Sequence, residues 1–221
     1  MDRDLEIVRF TLGPFQENSY LVVGPSGRRA LLVDPGLESE AVLETIAERG
    51  LLLELIVNTH GHLDHAAGNR LFKERTGARL AIHPADAPYL ERLGAQAAAF
   101  GLRAPDSPAP DLALREGEPL VFDGLEFSVL HTPGHTPGGI CFGARGRWFV
   151  GDTLFQGSVG RTDLPGGSWT ELVSSIRNKL FSLPGDTVCY PGHGPETTLA
   201  EERLHNPFVA DAAVLPGEVG R

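Results

Sequence analysis

Seven side chains of metal-ligand type stand in four short blocks: His60, His62, Asp64 and His65, then His135, Asp152 and His193. The first block lies in T-H-G-H-L-D-H (Thr59 to His65), directly after the apolar run Leu51 to Val57. The others lie in H-T-P-G-H-T-P-G (His131 to Gly138), F-V-G-D-T-L-F (Phe149 to Phe155) and Y-P-G-H-G-P (Tyr190 to Pro195). Three imidazoles and a carboxylate within six residues have little structural use. Five His and two Asp supply enough N/O donors for two divalent ions, each with room left for water, as a catalytic site requires. No Cys joins the set, so the donors suit zinc, iron or manganese without selecting among them; zinc is the expected occupant.

Spacing divides the donors between two points. In an extended segment just past a strand, His60 and His62 point the same way and can grip one ion. Asp64 and His65 fall where the chain should turn into a helix, and they face a second point. Asp152 can give one carboxylate oxygen to each ion. His135 then completes the first site and His193 the second. Asp34 ends a buried-looking strand, where an unpaired carboxylate is costly; we read it as the partner that holds a ligating histidine. The remaining histidines have structural readings. His83 starts a helix, His131 packs or hydrogen-bonds before the His135 turn, and His205 lies in a polar helix end.

The elements around these blocks come in two rounds. Strands are expected at Leu5 to Thr11, Ser19 to Val23 and Ala30 to Val33, the last two joined by the turn Gly24-Pro25-Ser26-Gly27. A helix follows at Ser39 to Glu48, then the apolar strand Leu53 to Asn58 that delivers the first block. Ala66 to Arg75 and Pro84 to Leu93 read as helices, with a strand at Arg79 to Ile82 between them. Gly94 to Glu118 shows no periodicity and reads as an irregular loop, with a lid as one of its readings. The second round has strands at Leu120 to Phe122, Glu126 to Leu130, Gly139 to Phe142 and Trp148 to Val150. A helix at Trp169 to Leu180, a strand at Thr187 to Tyr190 and a helix at Leu199 to Leu204 complete it. No low-complexity linker separates the rounds, so residues 1–221 are expected to form one α/β domain. Two packed sheets with helices on both outer faces fit this order.

Composition narrows the partners. Hydrophobic residues make up 41% and charged residues 22%, an ordinary globular balance. The net charge of −10 and the absence of a basic cluster argue against nucleic acid. No run approaches the roughly 20 apolar residues that span a bilayer, and the charged start, Met1 to Glu6, has no signal-peptide core. Cys141 and Cys189 lie far apart in strand-like runs and read as buried free thiols. A reducing cytoplasm is the expected compartment, with a monomer or homodimer as the working unit.

Residues Val33-Asp34-Pro35-Gly36 through Tyr190-Pro191-Gly192-His193-Gly194-Pro195 resemble the metallo-beta-lactamase-fold superfamily over essentially the whole chain, with every ligand motif in the family's order. The resemblance implies a four-layer αββα sandwich with a binuclear site at one edge. It assigns His60, His62 and His135 to one metal, Asp64, His65 and His193 to the other, and Asp152 to both. Gly151 to Phe155, Gly160-Arg161-Thr162-Asp163 and the ending Glu202 to Phe208 are most similar to glyoxalase II, the hydroxyacylglutathione hydrolases, in their short bacterial form. Longer glyoxalase II enzymes add a helical domain with basic glutathione-binding residues, and the stretch after His193 is too short for it. Arg161 is then the one candidate contact to a thiol carrier.

The implied chemistry is hydrolysis of a small thioester, with a glutathione thioester as one candidate substrate. A water shared by two divalent ions loses a proton near neutral pH and attacks the carbonyl, with Asp64 orienting it and taking its proton. Two other activities of the superfamily remain open. Gly160 to Asp163 and Leu183 to Asp186 are also similar to iron-dependent persulfide dioxygenases, and lactone hydrolysis is the further alternative. Beta-lactam hydrolysis is not expected, because Asp152 stands where those enzymes commonly have a zinc-binding Cys.

Overall fold

The computed structural model describes residues 5–211; residues 1–4, part of the charged start, and 212–221 lie outside the described residues. The first half of the chain builds one sheet. Its elements are β1 (Glu6–Leu12), β2 (Glu17–Val23), β3 (Arg29–Val33), α1 (Glu40–Glu48), β4 (Leu52–Val57), α2 (Leu63–Ala66), α3 (Asn69–Thr76), β5 (Arg79–Ile82), α4 (Ala87–Leu90), α5 (Leu93–Ala99) and β6 (Leu112–Ala113). The six strands pair in chain order, antiparallel from β1 to β3 and parallel from β3 to β6. The second half contributes β7 (Leu120–Phe122), β8 (Leu125–His131), β9 (Ile140–Ala144), β10 (Arg147–Gly151), β11 (Leu154–Phe155), β12 (Ser158–Val159), α6 (Trp169–Asn178), β13 (Val188–Pro191), β14 (Thr197–Thr198) and α7 (Leu199–His205). Its sheet runs β14-β13-β10-β9-β8-β7, with β11 and β12 as a separate small hairpin. Only the β10–β13 pair of this sheet is parallel.

Three apolar layers make the stack. Between the sheets lie Tyr20, Leu31, Val33, Leu55, Val57, Phe127, Phe142, Phe149 and Tyr190. The outer face of the first sheet, with Leu21, Leu32, Leu53, Ile56 and Leu80, packs on helix residues such as Val42, Ile46 and Phe72. Cys141, Trp148, Val150 and Cys189 face Leu172, Ile176 and Leu199 on the other side. Alternate residues of a central strand serve opposite layers, which is why strands such as β3, β4, β9 and β10 are largely apolar rather than apolar at every second position. One irregularity is instructive. Ala30 pairs with Leu53 but Leu31 pairs with Leu55, so Glu54 is an extra residue. The bulge sends Leu53 and Leu55, two positions apart, into opposite layers.

The four-layer α/β sandwich agrees with the sequence reading, and three local expectations need correction. Gly94 to Glu118 is not irregular throughout: α5 occupies Leu93–Ala99 and β6 extends the first sheet. Leu93 and Ala97 of α5 are buried in the outer layer. The helix read over Ala66 to Arg75 is broken, because the Gly68 N–H donates to the Pro35 carbonyl at 2.8 Å and α3 starts only at Asn69. Likewise Pro84 to Leu93 holds only the short α4 before α5 begins. Among the described residues no helix is long and apolar enough to cross a membrane. Cys141 and Cys189 are both buried and unbridged.

Candidate metal centre

Every donor block follows the end of a strand. Val33 ends β3 and Val57 ends the parallel β4, so Asp34 and the Asn58–Thr59 segment lie side by side; the Asp34 N–H donates to the Val57 carbonyl at 3.0 Å. In the second sheet Gly151 of β10 registers with Pro191 of β13, which sets Asp152 beside Gly192 and His193. The His135 turn follows β8. Parallel pairing thus gathers loops from distant parts of the chain at one edge of the sandwich.

The donors form two groups. One ligand atom from each of His60, His62 and His135 lies within 4.8 Å of the others, and the same holds for Asp64, His65 and His193. His62 Nδ1 and His135 Nε2 are 2.9 Å apart, and His193 Nε2 is 3.2 Å from Asp64 Oδ2. Asp152 stands between the groups. Its Oδ2 is 3.5 Å from His135 Nε2 and 3.7 Å from His193 Nε2, while its Oδ1 is 3.4 Å from His65 Nε2.

Hydrogen bonds to the other ring nitrogens decide which lone pairs are free. Thr59 donates its N–H to Asp34 Oδ1 at 2.7 Å and its hydroxyl to Asp34 Oδ2 at 2.6 Å. The Thr59 oxygen is then the acceptor for His60 Nδ1 at 3.1 Å. His65 Nδ1 donates to Asp34 Oδ2 at 3.1 Å, and His135 Nδ1 donates to the Arg161 carbonyl at 2.8 Å. These tautomers follow from the network, and each leaves Nε2 as a lone pair turned inward. Asp34 is also within ligand reach of His60 and His65, but both its oxygens are already engaged in this way.

Whether these residues fit metal ions can be tested on their own atoms. His60 Nε2, His65 Nε2 and Asp152 Oδ1 are buried without a hydrogen-bond partner, a costly arrangement unless a cation takes the lone pairs. Burial and the surrounding imidazoles push His60 well below its ordinary pKa, and burial followed by His135 lowers His62 to about 4. Neutral imidazoles are what a metal needs. The second group is richer in carboxylates. Burial opposes charge there, yet Asp152, Asp64 and Asp34 hold His65 above its ordinary range, and His65 and His193 hold Asp64 below its own.

Further supporting residues escaped the sequence reading. Asn18 donates to the carbonyls of Pro191 and Gly194 at 3.1 and 2.8 Å, and its own N–H to Gly192 at 2.7 Å. It therefore brackets His193 from the opposite sheet. Glu17, buried and pushed well upward by that burial, makes an isolated β-bridge with His193. Gln96 of α5 accepts from the Leu63 N–H and donates to the Gly61 carbonyl. The polar run Glu17-Asn18-Ser19 at the mouth of an apolar strand is the one sequence signal that marked any of them. Arg161, the expected carrier contact, is exposed and forms a two-point pair with Asp163, both bonds at 2.7 Å. His83 accepts the Ala85 N–H at a helix start, and His131 stacks on His83 and reaches the Pro137 carbonyl. His205 is an exposed helix-end residue near Glu201.

Comparison with known proteins adds the following. A family model described as the metallo-beta-lactamase superfamily matches residues 12–193. Hydroxyacylglutathione hydrolase GloC of Haemophilus influenzae is 40% identical over 210 residues, covering 93% of this chain and 98% of that protein. Among solved structures, the BLEG-1 B3 metallo-beta-lactamase superposes with a TM-score of 0.87 at 34% identity, over 92% of this chain and 99% of its own. TTHA1623 in a di-iron-bound form gives 0.83 at 42% identity, over 90% and 98%.

Proposed function

The chain belongs to the metallo-beta-lactamase superfamily, and from that premise we propose that it is a binuclear metal-dependent thioester hydrolase of the hydroxyacylglutathione type. The observation that carries the reading is Asp152, whose two oxygens face histidines of both groups. The similarity to GloC supports the thioester class, and the di-iron form of TTHA1623 supports two ions with iron as an alternative to zinc.

His60, His62 and His135 would hold one ion, Asp64, His65 and His193 the second, and Asp152 both. When bound, such a pair supplies a Lewis acid for the carbonyl oxygen and a water of lowered pKa. The chain does the rest. Asp34 fixes the ring of His65 directly and that of His60 through Thr59. Asp64, partly open to solvent, is the residue assigned to orient a metal-held water, and it would receive that water's proton. A leaving thiol with a pKa of about 8.5 needs no strong general acid, and no further acid is assigned. Arg161, by exchanging Asp163 for a carboxylate of the carrier, is the assigned carrier contact; exposed pairs of this kind are held weakly. We assign the protein to the cytoplasm, with a small-molecule substrate and a monomer or homodimer as the working unit, without nucleic-acid or membrane partners.

The test is a metal count together with three assays on one preparation. Hydrolysis of S-D-lactoylglutathione with roughly two ions per chain supports the proposal. Oxygen uptake with glutathione persulfide at a single iron replaces it with a dioxygenase. Cleavage of a chromogenic cephalosporin without thioester turnover replaces it with a beta-lactamase.

A further inference from the structure

Asp86 lies outside the seven donors, yet it joins two of the loops that carry them. It is fully buried at the start of α4. Its Oδ2 accepts the Gly61 N–H at 2.9 Å and its Oδ1 accepts the Gly138 N–H at 2.6 Å. Gly61 is the residue between His60 and His62, and Gly138 closes the turn that begins at His135. One carboxylate therefore ties together the two segments that present all three imidazoles of the first group. The approach is so close that neither glycine has room for a side chain. A Cβ on Gly61 would lie 2.6 Å from Tyr89 Cβ, and one on Gly138 would lie 2.6 Å from the Asp86 amide nitrogen.

The carboxylate has no ion-pair partner among the described residues. A buried, unpaired carboxylate is expensive. Burial opposes its charge, and Thr136, the Gly61 and Gly138 amides and nearby His135 offset that; holding both amides at a fixed separation is something an amide side chain cannot do. Asparagine would turn an NH₂ donor toward one of the two N–H donors.

The second group has a different support, Asn18, which donates to Pro191 and Gly194 on either side of His193. Asp34 reaches both groups; beyond it, each group has a brace of its own, from α4 and from β2. We infer that Asp86 is the positioning residue of the first metal site, setting the spacing between the His60–His62 segment and His135 independently of the second site. This rests on the binuclear reading above but not on the identity of the substrate.

The experiment reads metal, not turnover. Wild type and Asp86→Asn are loaded with zinc, and each step of zinc affinity is measured by competition with a chromogenic chelator. One of the two affinities is expected to fall by about 10–100-fold in the variant, the usual cost of losing a group that orients ligands, while the other is unchanged. The loss should be absorbed when Asp86→Asn is combined with His62→Ala and retained when it is combined with His193→Ala. Equal weakening of both steps, as general destabilisation would give, overturns the proposal, as does an unchanged variant. Wild-type protein that binds no zinc sinks this inference together with the binuclear reading, whereas absent thioesterase activity leaves it standing. A measurement on wild type alone guards against a variant that fails to fold. With metal stripped by chelator, the Gly61 and Gly138 amides should still exchange slowly with deuterium; fast exchange of both would show that no such clamp exists.

Discussion

Asp152 and Asp34 test the site at the scale of single atoms. Replacing Asp152 by Asn removes the shared charge, so the expected protein holds less than its full metal and loses at least about 100-fold in activity, beyond the loss typical of a merely supporting group. Full metal and full turnover in Asp152→Asn would refute the shared-ligand assignment. Asp34→Asn should leave the fold intact but weaken metal binding by about 10–100-fold, because the Thr59 contacts and the ring of His65 depend on both its oxygens. Competition with a chromogenic chelator measures this, and unchanged affinity would remove Asp34 from the site's support. The donors themselves were readable because His60, His62, Asp64 and His65 crowd into one short block. Asp86 was not, since its two amide partners lie 25 and 52 residues away and one aspartate before a helix looks like any other. Asn18 was hidden the same way, its partners being 173 and 176 residues distant.

Elements that alternate or repeat in the usual periods were legible, and those that lack polar contrast were not. Central strands such as β4 and β10 were found by their largely apolar runs, and β8 by its alternation of buried Phe127 and Val129 with exposed Glu126 and Ser128. Helix α5 was missed because Ala95, Gln96, Ala97, Ala98 and Ala99 offer almost no amphipathic signal, although alanine is the best helix former. The two-residue strands β6, β11, β12 and β14 are too short to show a period at all. At this scale the His83–His131 stack, with ring centroids 4.2 Å apart, gives a pH prediction. Burial, then His131 and Arg115, lower His83 from 6.5 to about 4. The unfolded chain therefore takes up this proton first, so the folded state loses stability as pH falls from about 6.5 toward 4. His83→Asn should show a shallower decline in that window when urea midpoints are compared with wild type. Parallel curves for the two proteins would show that the stack carries no such dependence.

For the molecule as a whole, the ions expected at the edge should act as ligands of the folded state only. Each ion present at about 1,000 times its dissociation constant would add about 4 kcal/mol of stability, so chelation should lower the melting temperature by many degrees. A melting curve unmoved by chelator would argue that the donors hold no ion under those conditions. The layered architecture was legible from the two rounds of strands and helices. Which strands run parallel, and hence which loops meet, depends on pairing between segments far apart in the chain and left no local trace. One further consequence concerns time. The first sheet is built wholly from residues 6–113 and the second from residues 120–198, so each can form from nearby chain before they dock, and near pairings form fastest. His60, His62, Asp64 and His65 come from the first half and His135, Asp152 and His193 from the second. On the proposed ligand set, neither ion would have a complete site until the halves meet. During refolding, tight capture should therefore lag sheet formation and keep the same rate when the metal concentration is doubled.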